Sequence, residues 1–86
     1  LKGAMPTYPR RAQSRGTEGS CIVAFDVNAQ GRVVNIAAIS DQCNPRGVFN
    51  KASEEAMSKF IYRPRYVDGK PVDTNGLRRQ FSFRVD

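Results

Sequence analysis

Histidine is absent from this 86-residue chain, and so is tryptophan. Without the side chain whose ordinary pKa lies nearest neutrality, acid–base chemistry would fall to isolated carboxylates such as Asp26 or Glu18, and no motif sets a nucleophile beside a base. The reading is therefore of a protein that is not an enzyme. Cysteine is scarce as well: Cys21 and Cys43 are the two present, neither in a CxxC pair, so no metal site and no cofactor is expected. No apolar run approaches the ~20 residues needed to cross a bilayer, and no stretch reads as a signal peptide. Because the chain starts at Leu1, it is read as an excised C-terminal domain whose targeting and anchoring segments lie upstream.

Acidic residues are the minority charge, eight against fourteen Lys and Arg, for a net +6. That balance admits nucleic acid, an anionic membrane face or an acidic protein partner. The basic residues are dispersed (Arg10, Arg15, Arg46, Arg63, Arg78 and Arg84 among them) rather than gathered in one run, which is also the pattern of a solvated surface.

What is present describes one small domain. A chain this short buries only about 60–65 % of the surface it exposes when unfolded, so a covalent staple matters. Cys21 lies near the start of a predicted strand and Cys43 just past the end of its hairpin partner. The hairpin brings both to one end of the strand pair, and a disulfide is expected in preference to two buried thiols. Closing that loop stabilises by about 3 kcal/mol on the chain-entropy model and implies an oxidising compartment.

Residues 1–19 form a basic extension in which Pro6 and Pro9 bracket Tyr8 and Pro9 opens a short helix over 10–14, ended by Gly16. Residues 20–86 form the domain proper. Cys21, Val23, Phe25 and Val27 alternate along a first strand, the Asn28–Arg32 turn contains Gly31, and a return strand covers 33–40. Asn44 and Pro45 read as a helix entry. The three- and four-residue spacing of Phe49, Ala52, Ala56 and Phe60 predicts an amphipathic helix over roughly 46–60, with Lys51, Glu54, Glu55 and Lys59 facing solvent. Pro64 stops it, and Asp68-Gly69 signals a turn.

The C-terminal stretch GLRRQFSFRVD, residues 76–86, alternates once more: Leu77, Phe81, Phe83 and Val85 on one parity, Arg78, Gln80, Ser82 and Arg84 on the other. Strand, strand, helix, strand gives an α+β fold, a three-stranded antiparallel sheet of order 2-1-3 in a right-handed split β-α-β with helix cover on one face. The last strand is left at an edge.

The ordered set Tyr8-Pro9-x-x-Ala12, Glu18-Gly19, Val23 to Val27, Gly31-Arg32-Val33, Val48-Phe49, Ala52 to Ala56, Phe60-x-Tyr62-x-Pro64 and Gly76 to Val85 resembles the TonB C-terminal domain family of Gram-negative periplasmic energy transducers over nearly the whole chain. Phe49, Phe60, Tyr62 and Phe83 match family aromatics and are read here as core. Phe60 stands where the family usually has Trp, and Met5 where some members carry Gln. The cysteine pair and the segment around Asp68-Gly69-Lys70-Pro71 resemble a longer subgroup.

The resemblance implies a periplasmic receptor-binding head of a protein anchored in the inner membrane, working with ExbB and ExbD through upstream segments. Its partner would be the TonB box of outer-membrane transporters, taken up by strand addition at Leu77, Arg78, Arg79, Gln80, Phe81, Ser82, Phe83, Arg84 and Val85, with Tyr8 and Pro9 contributing, to drive import of siderophores, vitamin B12 or similar cargo. An open edge can also pair with a copy of itself, as a homodimer. Two other readings are an envelope interaction module of the TolA kind and a basic RNA-binding sheet. Against the latter, Phe81 and Phe83 belong under the helix, and a disulfide places the chain away from nucleic acid.

Overall fold

The structure is a computed structural model that describes residues 1–85; Asp86, the end of the expected domain, lies outside the described residues. A short helix α1 (Arg10–Arg15) is followed by strands β1 (Gly19–Val27) and β2 (Val33–Asn44), helix α2 (Asn50–Ser58), and strands β3 (Arg65–Val67), β4 (Lys70–Val72) and β5 (Thr74–Phe83). The main sheet runs β2-β1-β5 with both pairings antiparallel, as the order strand, strand, helix, strand predicts. The Asp68-Gly69 signal forms the tip of a separate two-stranded hairpin, β3-β4.

The β1–β2 connection closes on an Asx turn. Asn28 Oδ1 accepts the amides of Gln30 (3.0 Å) and Arg32 (2.9 Å), and Gly31 adopts φ 82°, a conformation that costs glycine little. Its position is crowded too, since Tyr62 N–H donates to the Gly31 carbonyl at 2.9 Å, and an added Cβ would collide with the Tyr62 carbonyl oxygen.

On the inward parity Cys21, Val23, Phe25 and Val27 are all buried. They meet Phe49, Ala56, Met57 and Phe60 from the α2 side and Phe81 and Phe83 from β5. Phe49 stacks on Phe83 with centroids 4.2 Å apart, and Tyr8 sets its ring edgewise against both, at 5.8 and 5.7 Å. Phe60 contacts Phe81 edge to face at 5.9 Å. The basic extension thus packs on the same core, with Ala12 of α1 buried.

Four expectations are corrected. Helix α2 begins at Asn50 rather than near 46, because Gly47 at φ 81° cannot continue a right-handed helix, and it stops at Ser58. Asn44 is consequently no cap. It ends β2, and Phe49 occupies the N-cap position without a side-chain hydrogen bond. The return strand does not stop at residue 40: it bulges between the Val23↔Ala38 and Cys21↔Cys43 pairs and resumes to Asn44, so Cys43 lies inside the strand and bonds Cys21 directly. Finally, β5 starts earlier and ends earlier than expected, leaving Arg84 and Val85 outside it. The Val85 amide turns to Glu18 Oε2 at 2.7 Å instead of to β1.

Candidate functional site: the open edge of β5

Strand order leaves two edges, β2 and β5, and the direction of each backbone group decides what they can do. Cys21 and Cys43 face each other with Cα atoms 3.9 Å apart, the close spacing of a non-hydrogen-bonded antiparallel pair. Cys21 therefore turns its N–H and C=O away from β2, toward its other partner Phe81. Phe81, Arg79 and Phe83 likewise face β1. By the alternation of the ladder, the amides and carbonyls of Arg78, Gln80 and Ser82 point out from the sheet.

The same parity controls the side chains. Phe81 and Phe83 are buried against the core and Leu77 is packed beside them, while Arg78, Gln80 and Ser82 are exposed on the opposite face. Arg79 shares the parity of the buried phenylalanines, yet it is exposed because its guanidinium lies over the Phe60 ring, Cζ 4.8 Å from the centroid. Such a contact holds a cation in place without neutralising it.

The start of this edge is fixed from the central strand. Between Phe25↔Leu77 and Val27↔Thr74 the register slips by one residue, and Gly76 takes φ 74° there. Asp26 Oδ1 accepts the Gly76 amide at 2.8 Å, while its Oδ2 accepts Asn35 Nδ2 at 2.8 Å from the bulge in β2. One carboxylate thus ties the irregularities of both flanking strands, and these two hydrogen bonds hold it below the ordinary carboxylate range.

The β2 edge differs. Ala38, paired with Val23, has its amide turned outward, and Glu54 Oε2 of α2 accepts it at 2.8 Å. Asn50 Nδ2 reaches Ser40 Oγ at 3.3 Å. The polar face of α2, read from the sequence as solvent, therefore covers part of this edge. The signal was hidden because Glu54 acts across sixteen residues on a strand whose parity the bulge has shifted.

Of the expected site residues, Leu77 to Phe83 lie together on β5, and Arg84 and Val85 follow it. Tyr8 and Pro9 lie elsewhere: the Tyr8 ring sits in the aromatic cluster and its hydroxyl donates to the Thr17 carbonyl. Burial, with Glu18 nearby, pushes its phenol above the usual value. Pro9 lines an open cleft of about 550 Å³ with Arg11, Arg15 and Val48.

The family described as Gram-negative bacterial TonB protein C-terminal matches residues 4–85. The chain belongs to the TonB C-terminal family. It is 40 % identical over 86 residues to protein TonB of Klebsiella aerogenes, covering 100 % of this chain and 32 % of that one. Protein TonB of Pseudomonas aeruginosa is 33 % identical over 81 residues, 94 % of this chain and 23 % of that one. The solution structure of the Pseudomonas aeruginosa TonB C-terminal domain superposes with a TM-score of 0.81 at 32 % identity, covering 100 % of this chain and 84 % of that one. The chain thus spans a third or less of the length of these curated TonB relatives, while it matches their C-terminal domain as a fold.

Proposed function

We propose that this domain is the receptor-binding head of a TonB-type energy transducer. It captures an extended segment, the TonB box, in the tail of an outer-membrane transporter by adding it as a strand to β5. The whole protein would be anchored in the inner membrane with this domain in the periplasm, and would draw on ExbB and ExbD to couple the proton gradient to import of siderophores, vitamin B12 or similar cargo. The observation that carries the reading is the β5 edge, where Arg78, Gln80 and Ser82 present outward backbone donors and acceptors. Family membership and the disulfide, which suits an oxidising compartment, agree with it.

Strand addition uses backbone groups, so it tolerates varied peptide sequences. Three outward residues offer six backbone hydrogen bonds at most, at ~1 kcal/mol each, against ~1 kcal/mol for each peptide residue ordered. The two nearly cancel. Affinity then comes from side-chain contacts and from tethering of transporter and transducer, which fits a coupling that must engage and release. The test is calorimetric titration with peptides from transporter N-terminal tails: binding to the native domain and its loss on Gln80→Pro are expected. Undiminished binding by a folded Gln80→Pro domain would overturn the reading.

A further inference from the structure

Two adjacent cations within the open edge, Arg78 and Arg79, form no ion pair among the described residues. Among the described residues one ion pair forms, Arg46 with Asp41 of β2. Three other carboxylates accept hydrogen bonds from elsewhere: Asp26 from Gly76 and Asn35, Glu18 from Val85, and Glu54 of α2 from Ala38. Arg78 and Arg79 are adjacent in β5, so their side chains leave the sheet on opposite faces. Arg78 projects from the face away from the core, and Arg79 is pinned over Phe60 on the core side.

A strand added to β5 places each of its side chains on the same face as the residue directly opposite. The two residues opposite Arg78 and Arg79 are therefore also adjacent, one on each face, and each meets a guanidinium. We infer that this edge selects an acidic extended peptide, specifically one with two neighbouring carboxylate residues in register with Arg78 and Arg79. The inference rests on the strand-addition reading and sets its register. A neutral pair in those positions leaves both cations unmatched, and a basic pair opposes them.

The probes are three peptides of alternating Thr and Val that differ only at two central positions: Asp-Glu, Asn-Gln or Lys-Lys. Binding is followed on the domain's backbone amides by NMR. The acidic peptide is expected to bind about tenfold more tightly than the neutral one at low ionic strength, with the Lys-Lys peptide weaker still and the preference collapsing in about 0.5 M salt. Shifts should centre on Arg78, Gln80 and Ser82. Arg78→Gln and Arg79→Gln should each reduce the preference about threefold, and Arg79→Glu should turn it toward the Lys-Lys peptide. Arg10→Gln, an equal loss of charge on α1, should leave it unchanged.

Equal binding of acidic and neutral peptides at the β5 amides would overturn the charge selection while leaving strand addition standing. So would a preference that survives in the Arg78→Gln, Arg79→Gln double variant and disappears in Arg10→Gln. Peptide shifts confined to another surface, or β5 shifts that follow protein concentration alone and so report a second copy, would overturn both.

Discussion

The two edges of this sheet offer the same backbone chemistry and are treated in opposite ways. On β2 the ladder is broken by bulges around Asn35 and between Ala38 and Cys43, and the outward Ala38 amide is taken by Glu54. On β5 the segment from Leu77 to Phe83 pairs with β1 in unbroken register, and among the described residues no side chain takes its outward amides as Glu54 takes that of Ala38. An exposed, regular edge invites association that proteins usually prevent by bulges, covers and charges. Here those devices are concentrated on β2, while β5 keeps its arginines and a single irregularity at Gly76, before the regular segment begins. The proposed strand addition at β5 rests on this difference.

The largest effect bearing on this contrast concerns what holds β2 to β1. Removing the Cys21–Cys43 bond, which closes a loop with sequence separation 22, by a double Cys→Ala substitution should cost about 3 kcal/mol of stability in denaturant unfolding. Peptide affinity per folded molecule should be little changed, since β5 lies on the far side of β1. Next comes the edge itself. Gln80→Pro deletes an outward donor that edge strands can spare. It should weaken transporter-peptide binding about tenfold or more with a small change in Tm, whereas Phe81→Pro, which deletes a donor to β1, should cost about 3 kcal/mol in stability.

Glu54→Ala should uncover the second edge. A loss of about 1 kcal/mol is expected from the Ala38 bond, together with concentration-dependent self-association visible by sedimentation. A monomeric Glu54→Ala domain with unchanged stability would erase the distinction between the edges. The smallest effect involves Asp26. Its carboxyl is held below its ordinary value of 3.8 by Asn35 and Gly76, so its contribution is fully present above about pH 4 and is lost as pH falls through the lower folded value. Asp26→Asn should flatten that acid limb of a stability-versus-pH curve and loosen Gly76 exchange, with neutral-pH folding retained.

Much of this was legible in the residues. The β1 pattern of Cys21, Val23, Phe25 and Val27, the Gly31 turn and the C-terminal alternation placed all three main strands, because each buries one face and so writes a period of two. The order 2-1-3 and the β5 edge followed from the single intervening helix. Bulges were not legible. An extra residue shifts parity without leaving a compositional mark, so the pattern does not carry β2 on to Cys43 or reveal the role of Glu54. The apolar spacing alone places the start of α2 too early, because Gly47 lies within an otherwise helical pattern and only its positive φ excludes it. Arg79 shows the converse limit: its parity says buried, its chemistry says exposed, and the Phe60 ring that reconciles the two is nineteen residues away.

The central claim is that outward backbone groups of β5, and not those of β2, receive a partner strand. The most direct test is amide hydrogen exchange, read residue by residue by NMR, with and without a peptide from a transporter's N-terminal tail. The account predicts new protection at Arg78, Gln80 and Ser82, with Ala38 unchanged. Peptide binding that leaves those three amides exchanging as before, or that protects the β2 edge instead, would contradict it.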